Sequence, residues 1–255
     1  MIPVVTVAAT GAEEAGSLYR FPRPLKRGVV LSRPNRFIML VKAGGEELRC
    51  HCPTTGRLGD LDVSGLPCLY STAPGGTRKT GYTVEAICTS PGRAGSWVGI
   101  NQTAANRYLE HFLKTGALSR LARGEVKREV KLGKSRIDFL VGNTYLEVKT
   151  PLITLPSSGA VSKVRRSRFD SFDRLIKHMD ELRESLSAGR RAVMLLCYLY
   201  DAKPFVPPRI DGSNSRILKA ARRAEEAGVE RWQANFKIDR HGVSLIRYFR
   251  SRPYS

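Results

Sequence analysis

Alternation of apolar and polar residues is clearest between Glu125 and Thr150, EVKREVKLGKSRIDFLVGNTYLEVKT. Val126, Val130 and Leu132, then Ile137, Phe139 and Val141, then Leu146 and Val148 recur with a period of two, which predicts three strands. Gly133-Lys134 and Gly142-Asn143 suit two-residue hairpin turns, whose central positions favour positive φ. These turns set a register. Val141 faces Thr144 and Leu132 faces Ser135, which puts Glu129 opposite Asp138 and Asp138 opposite Glu147. Lys149 falls on the same side of its strand as Glu147, while Val, Ile, Phe and Leu form one continuous opposite face.

Before this stretch the pattern breaks into short strands punctuated by Gly and Pro: Val29 to Ser32, Phe37 to Val41, Glu46 to Cys52, Leu66 to Ser71 and Tyr82 to Thr89. About five such strands over residues 21–90 predict a small barrel. Residues 1–20 read as a flexible arm. Residues 91–96, PGRAGS, read as a linker, and a second domain is expected over 97–255. Asn101 is placed to cap a helix from about Gln102 to Gly116, with Ala105, Leu109, Phe112 and Leu113 on one face. After the three strands, Phe169, Phe172, Leu175, Ile176, Met179, Leu182 and Leu186 follow the helical period up to Gly189. Arg191 to Tyr200, RAVMLLCYLY, is apolar enough for a central buried strand. A helix over Ser213 to Ala227 and a hairpin around His241-Gly242 complete the chain. The class is mixed α/β (α+β): a barrel, then helix, three strands, helix, strand, helix and hairpin.

Like charges facing each other across strands destabilise a sheet by up to ~1 kcal/mol per pair, so the carboxylates Glu129, Asp138 and Glu147 need compensation. A divalent cation supplies it, with Lys149 orienting a water or holding a phosphate in metal-assisted phosphodiester chemistry. The other reading is a solvated sheet face, its carboxylates paired with Lys127, Lys131, Arg136 and Lys149. Glu110, on the first helix, reads as a surface residue, the other reading being an acidic site residue on the helix before the sheet.

KREVKLGKSRIDFLV…YLEVKTPLI resembles the signature of the sugar fermentation stimulation protein family, whose second half is similar to the D…(D/E)xK element of PD-(D/E)xK nucleases. HCPTTGRLGDL resembles the family's HCPxTG motif, with Thr55 where Asn is usual, and WVGINQTAANR its VN…ANR signature, keeping Asn101, Asn106 and Arg107. The resemblance implies an N-terminal OB-like nucleic-acid-binding barrel and a restriction-endonuclease-like αβββαβ domain. It implies Asp138, Glu147 and Lys149 as the nuclease constellation, Asp138 and Glu147 holding Mg²⁺ or Mn²⁺, with Glu129 as an outer or second-metal ligand. The segment after Thr150 departs from the family pattern, but Arg174, Lys177 and His178 match its basic run.

Composition adds a partner. The 255 residues carry 43 Lys and Arg against 23 Asp and Glu, a net charge of +20, and Arg supplies 30 of the 43. A polyanion, DNA or RNA, is the implied ligand, against two competing readings, a compositional bias toward Arg and simple solubility. Arg36, Arg57 and Arg107, the loop residues Arg165, Arg166 and Arg168, and Lys177 and His178 are the candidate contacts. Each of them taken singly also fits a solvated surface charge. No apolar run reaches the ~18 residues of a membrane span. The first ten residues lack the basic flank of a signal peptide and are followed by Glu13 and Glu14, so a cytoplasmic location is expected. Cys50, His51 and Cys52 are too close for the usual zinc spacing, and the five cysteines read as small buried thiols.

Overall fold

The computed structural model describes residues 5–6, 18–54, 58, 61–72, 80–90, 97–152, 155, 172–208 and 214–252. The first strands are β1 (Val5–Thr6), β2 (Leu18–Arg20), β3 (Lys26–Asn35), β4 (Ile38–Ala43), β5 (Glu46–His51), β6 (Pro67–Thr72), β7 (Tyr82–Cys88) and β8 (Trp97–Gly99). A 3₁₀ turn over Gln102–Ala104 leads into α1 (Ala105–Lys114), β9 (Val126–Leu132), β10 (Ser135–Val141) and β11 (Thr144–Lys149). Then come α2 (Phe172–Ser185), β12 (Arg191–Tyr198), α3 (Ser215–Glu226), β13 (Glu230–Ile238) and β14 (Gly242–Arg250).

Strands β3 to β7 form the expected barrel. Neighbours run β5-β4-β3-β6-β7, and a parallel pairing of Cys50 with Tyr82 and His51 with Thr83 closes the ring. This order, with one parallel closure in an otherwise antiparallel ring, is that of an OB fold. Alternate residues fill its interior: Val30, Met39, Val41, Cys50, Cys68 and Val84 are fully buried. All five cysteines are free and buried, and burial pushes the Cys50 thiol up to about 11 and that of Cys68 to about 12. Both are therefore packing groups at neutral pH.

The second sheet runs β1-β14-β13-β12-β11-β10-β9, with β2 also paired to β14. The parallel neighbours β11, β12 and β13 lie at its centre, as the apolar run of β12 predicts. One face packs on α1 through Val193, Leu195 and Phe236, and the other on α2 and α3 through Ala192, Met179 and Leu182.

Two expectations change. The supposed flexible arm contains strands, because β1 and β2 both add to β14, and Tyr19 packs its ring on Tyr108, Phe21 and His111. Trp97–Gly99, read as the start of the second domain, instead pairs with β7 as an added barrel strand. Val98 is fully buried there, and Gly99 donates its N–H to the carbonyl of Leu199 at 2.9 Å. No helix among the described residues is long and apolar enough to cross a membrane.

Candidate active site

The β9–β10 and β10–β11 hairpins close with the expected two-residue turns, but positive φ occurs only at the first central position of each, Gly133 and Gly142 both at φ 55°, and not at Lys134 or Asn143. Leu132 pairs with Ser135 and Val141 with Thr144, so counting along each strand places Glu129 opposite Asp138 and Asp138 opposite Glu147. Neither of those two positions is bridged by backbone pairing, however. Glu129 sits at φ 51°, the sole non-glycine residue at positive φ among those described. Across from it, the Asp138 side chain accepts the Val148 N–H at 2.8 Å in place of a ladder bond.

The apolar stripe expected along one face is divided at the same point. Ile137 and Leu132, toward the hairpin tip, pack with α2, whereas Phe139, Val141 and Val126 pack with α1. A left-handed residue in β9 permits this change of direction, at a cost of about 1–2 kcal/mol for a side chain with a Cβ. The regular three-strand ladder is thus interrupted where its carboxylates lie.

A cavity of about 580 Å³ opens there, lined by Glu129, Asp138 and Glu147 together with Arg136, Lys177 and His178. Asp138 is half-buried and doubly held: beside the Val148 bond, Asn106 Nδ2 on α1 donates to its Oδ1 at 2.7 Å. Burial and the neighbouring charge of Glu147 push the Asp138 carboxyl above the usual aspartate range, against the pull of these two donors and of Lys149. Glu147 is almost fully buried, and its Oε1 receives contacts from both Lys149 Nζ and His178 Nδ1. Burial alone raises its pKa, but His178 and Lys149 outweigh that effect and hold the carboxyl below the usual glutamate range. Its second oxygen, Oε2, is buried without a hydrogen bond.

That free oxygen tests the fit of a cation. A buried carboxylate oxygen without a hydrogen bond, on a residue that lines a polar cavity, is an available hard ligand, and Asp138 supplies a second carboxylate to the same lining. Among the described residues no three His, Cys, Asp or Glu side chains converge as a ligand set. The donor set therefore suits an ion that keeps much of its water, as Mg²⁺ does with one or two carboxylates. The residues fit such an ion and do not form a closed structural metal site.

The other predicted residues separate. Lys149 and His178 meet at Glu147, and Lys177 lines the cavity while its Nζ donates to the Lys134 carbonyl at 3.1 Å. Glu129 reaches the rim of the cavity from an exposed position. Arg36 is remote in the barrel, and Arg107 is exposed on α1 over the Tyr108 ring. Arg57, Arg165, Arg166 and Arg168 lie outside the described residues. Glu110 pairs with Lys114 at 2.7 Å and Arg128 at 3.1 Å.

Two side chains that brace the site were not singled out by spacing. Asn106 stands in the ANR motif but is 32 residues from the aspartate it serves. Glu181 fixes α2 to the β9–β10 turn by accepting the Lys134 N–H at 2.9 Å. Its only sequence signal is its place one turn after Lys177 and His178 on the same helix.

An OB-type barrel leading into a mixed α/β domain with this carboxylate pair defines a two-domain class. Within that class, residues 31–100 match the family model described as the SfsA N-terminal OB domain, and residues 103–242 the sugar fermentation stimulation protein RE domain. The chain belongs to the sugar fermentation stimulation protein family. It is 33% identical over 232 residues to a homolog from Synechococcus sp. (strain JA-2-3B'a(2-13)), covering 88% of this chain and 92% of that one. Its identity to the Teredinibacter turnerae homolog is 32%, over 82% of this chain and 89% of the other. The solved structure of Pyrococcus furiosus SfsA in complex with Ca²⁺ has the same fold, with a TM-score of 0.71 at 23% identity over 94% of this chain and 99% of that one.

Proposed function

We propose that this protein binds nucleic acid, DNA foremost, and hydrolyses its phosphodiester bonds with Mg²⁺ or Mn²⁺ held by Asp138 and Glu147. The observation that carries the reading is the buried, unbonded Oε2 of Glu147, in a cavity lined also by Asp138, by the carboxylates of Glu129 and Asp173 and by Arg136, Arg174 and Lys177. The OB barrel, the net charge of +20 and the Ca²⁺ complex formed by the related Pyrococcus furiosus protein support it. The ion supplies Lewis-acid stabilisation of charge on the phosphoryl oxygens. Lys149, in contact with Glu147, orients the attacking water. His178 acts as a positioning residue, holding Oε1 and leaving Oε2 unbonded. Glu129 sits as an outer carboxylate, and Arg136 and Lys177 take backbone phosphates.

A second reading has its own support. Lys149 and His178 already contact Glu147 Oε1 without an ion, an arrangement suited to a DNA-binding protein that keeps the site without turnover. Labelled single- and double-stranded DNA and RNA, incubated with Mg²⁺ or Mn²⁺, decide between them. Cleavage by the wild type, lost by roughly 100-fold or more in Asp138→Ala and Lys149→Ala with binding retained, is the expected result. Binding without cleavage of any substrate leaves the second reading.

A further inference from the structure

The barrel carries an aromatic side chain where its core has no use for one. Phe37 lies at the tip joining β3 to β4 and is 49% exposed, against complete burial of Met39 and Val41 further along its strand. The tip is rigid. Asn35 Oδ1 accepts the N–H groups of both Phe37 and Ile38, at 2.9 and 3.1 Å, and Arg33 Nη2 donates to the Arg36 carbonyl at 3.0 Å. The Arg36 guanidinium stands over the Phe37 ring, 4.6 Å from its centroid. An exposed ring on a mobile tip would be unremarkable; this one is held in place at the cost of hydrating its surface.

The surface beside it has a matching character. On β3, Leu31 is 39% exposed, and Val29, opposite Lys42 at the end of the strand away from the tip, is 41% exposed. Across β4 and β5, Ile38 pairs with His51 and Leu40 with exposed Arg49, while Lys42 pairs with Glu47 at the far end. Arg33 and Arg36 put positive charge at the tip, and exposed Arg49, opposite Leu40 on β5, adds a further cation along the sheet. A ring under a guanidinium group, with a further cation along the neighbouring strand, is complementary to a base with its phosphate: the base stacks, and Arg takes the charge. Duplex DNA hides base faces inside its stack, so only an unpaired strand satisfies both halves of the surface.

We infer that the barrel takes single-stranded nucleic acid, with Phe37 as a base-stacking platform and Arg36 and Arg49 as its phosphate contacts; this rests on the nucleic-acid reading above and adds the strandedness of the ligand. The full chain is titrated, without divalent ions, into fluorescein-labelled oligothymidylate and into a mixed-sequence duplex of equal length. Wild type is expected to bind the single strand more tightly. Phe37→Ala weakens single-strand binding about ten-fold and leaves duplex binding within two-fold, and Phe37→Trp restores it. An unchanged thermal midpoint for Phe37→Ala, expected of an exposed position, excludes loss of fold. Equal single-strand affinity of wild type and Phe37→Ala overturns the stacking role, as does an equal loss on both ligands, while nucleic-acid binding itself survives. A wild type that binds neither ligand overturns the broader reading and this one with it.

Discussion

Asn106 and Glu129 bear on the site in different ways. The Asn106 amide donates to Asp138 and favours its charged form, against burial and the charge of Glu147, which push the carboxyl up. Removing that donor raises the pKa further. Asn106→Ala is therefore expected to weaken Mn²⁺ binding by roughly ten-fold near neutrality and to move its pH dependence to the alkaline side. Isothermal titration with Mn²⁺ at several pH values measures both effects; an unchanged curve would show that Asp138 does not bind the ion. Glu129 instead holds strain. At φ 51°, Asn is tolerated better than Glu, and the change also removes one of three neighbouring negative charges. Glu129→Asn is expected to stabilise the protein by about 0.5–1 kcal/mol in urea unfolding while lowering cleavage, the opposing changes expected of a strained functional residue. Loss of stability would assign that backbone conformation to packing.

At the level of elements, the hairpins were legible because their information is local. Gly133 and Gly142 fixed the turns, the turns fixed the count, and the count brought Glu129, Asp138 and Glu147 to one cavity. The break in the ladder was not legible, since nothing around Glu129 in EVKREVK distinguishes a left-handed residue from an extended one. Nor could alternation show that His178, 31 residues downstream, meets Glu147, because that contact depends on how α2 crosses the sheet. The starts of β12 and β13 are fixed in the same non-local way. Arg191 Nη2 donates to Glu230 Oε2 at 2.8 Å, and Trp232 Nε1 donates to the same oxygen at 2.7 Å. Burial pushes Glu230 up, but the bonds from Arg191 and Trp232 and the charges of Arg191 and Arg250 bring it below the ordinary glutamate range. The unfolded chain then binds the proton more tightly than the folded one. Its contribution is present above the ordinary glutamate pKa and is lost as pH falls through the lowered folded value. Glu230→Gln should cost about 1–2 kcal/mol at pH 7, a figure reduced for the partial exposure of Arg191. Denaturant melts from pH 7 downward should show that difference shrinking below about pH 4; a constant difference would mean that lost packing, not charge, is responsible.

Across the whole molecule the barrel and the sheet do not keep separate cores. Leu25, Leu69 and Ala86 from the barrel side lie in one apolar cluster with Tyr108 and Phe112 of α1, while Leu196 and Tyr198 of β12 join the cluster that fills the barrel. Composition gave no hint of this. Pro91 to Ser96 has the look of a spacer between independent units, yet the next residues are tied to both sides. Gly99 pairs with Ala86 on β7 and bonds Leu199 just past β12, and a Cβ built on it would stand 2.5 Å from the Leu199 Cβ and 3.2 Å from its carbonyl oxygen. A side chain there has to force the two sheets apart, because the obstacle includes backbone that cannot rotate away. Gly99→Val is accordingly expected to destabilise the chain by about 3 kcal/mol or more, through overpacking and the loss of the Leu199 bond. Since each core is completed by residues of the other unit, the wild type should unfold in a single transition, with barrel and sheet signals coincident. Trp97 and Trp232 supply the two fluorescence reporters, one on the barrel's added strand and one on the sheet, and each can be replaced in turn by Phe. Coincident midpoints for the two single-tryptophan proteins, both lowered together by Gly99→Val, are the expected outcome. Separate midpoints, or a Gly99→Val effect confined to one reporter, would mean that nucleic acid held by the barrel is not rigidly presented to the carboxylates of the sheet.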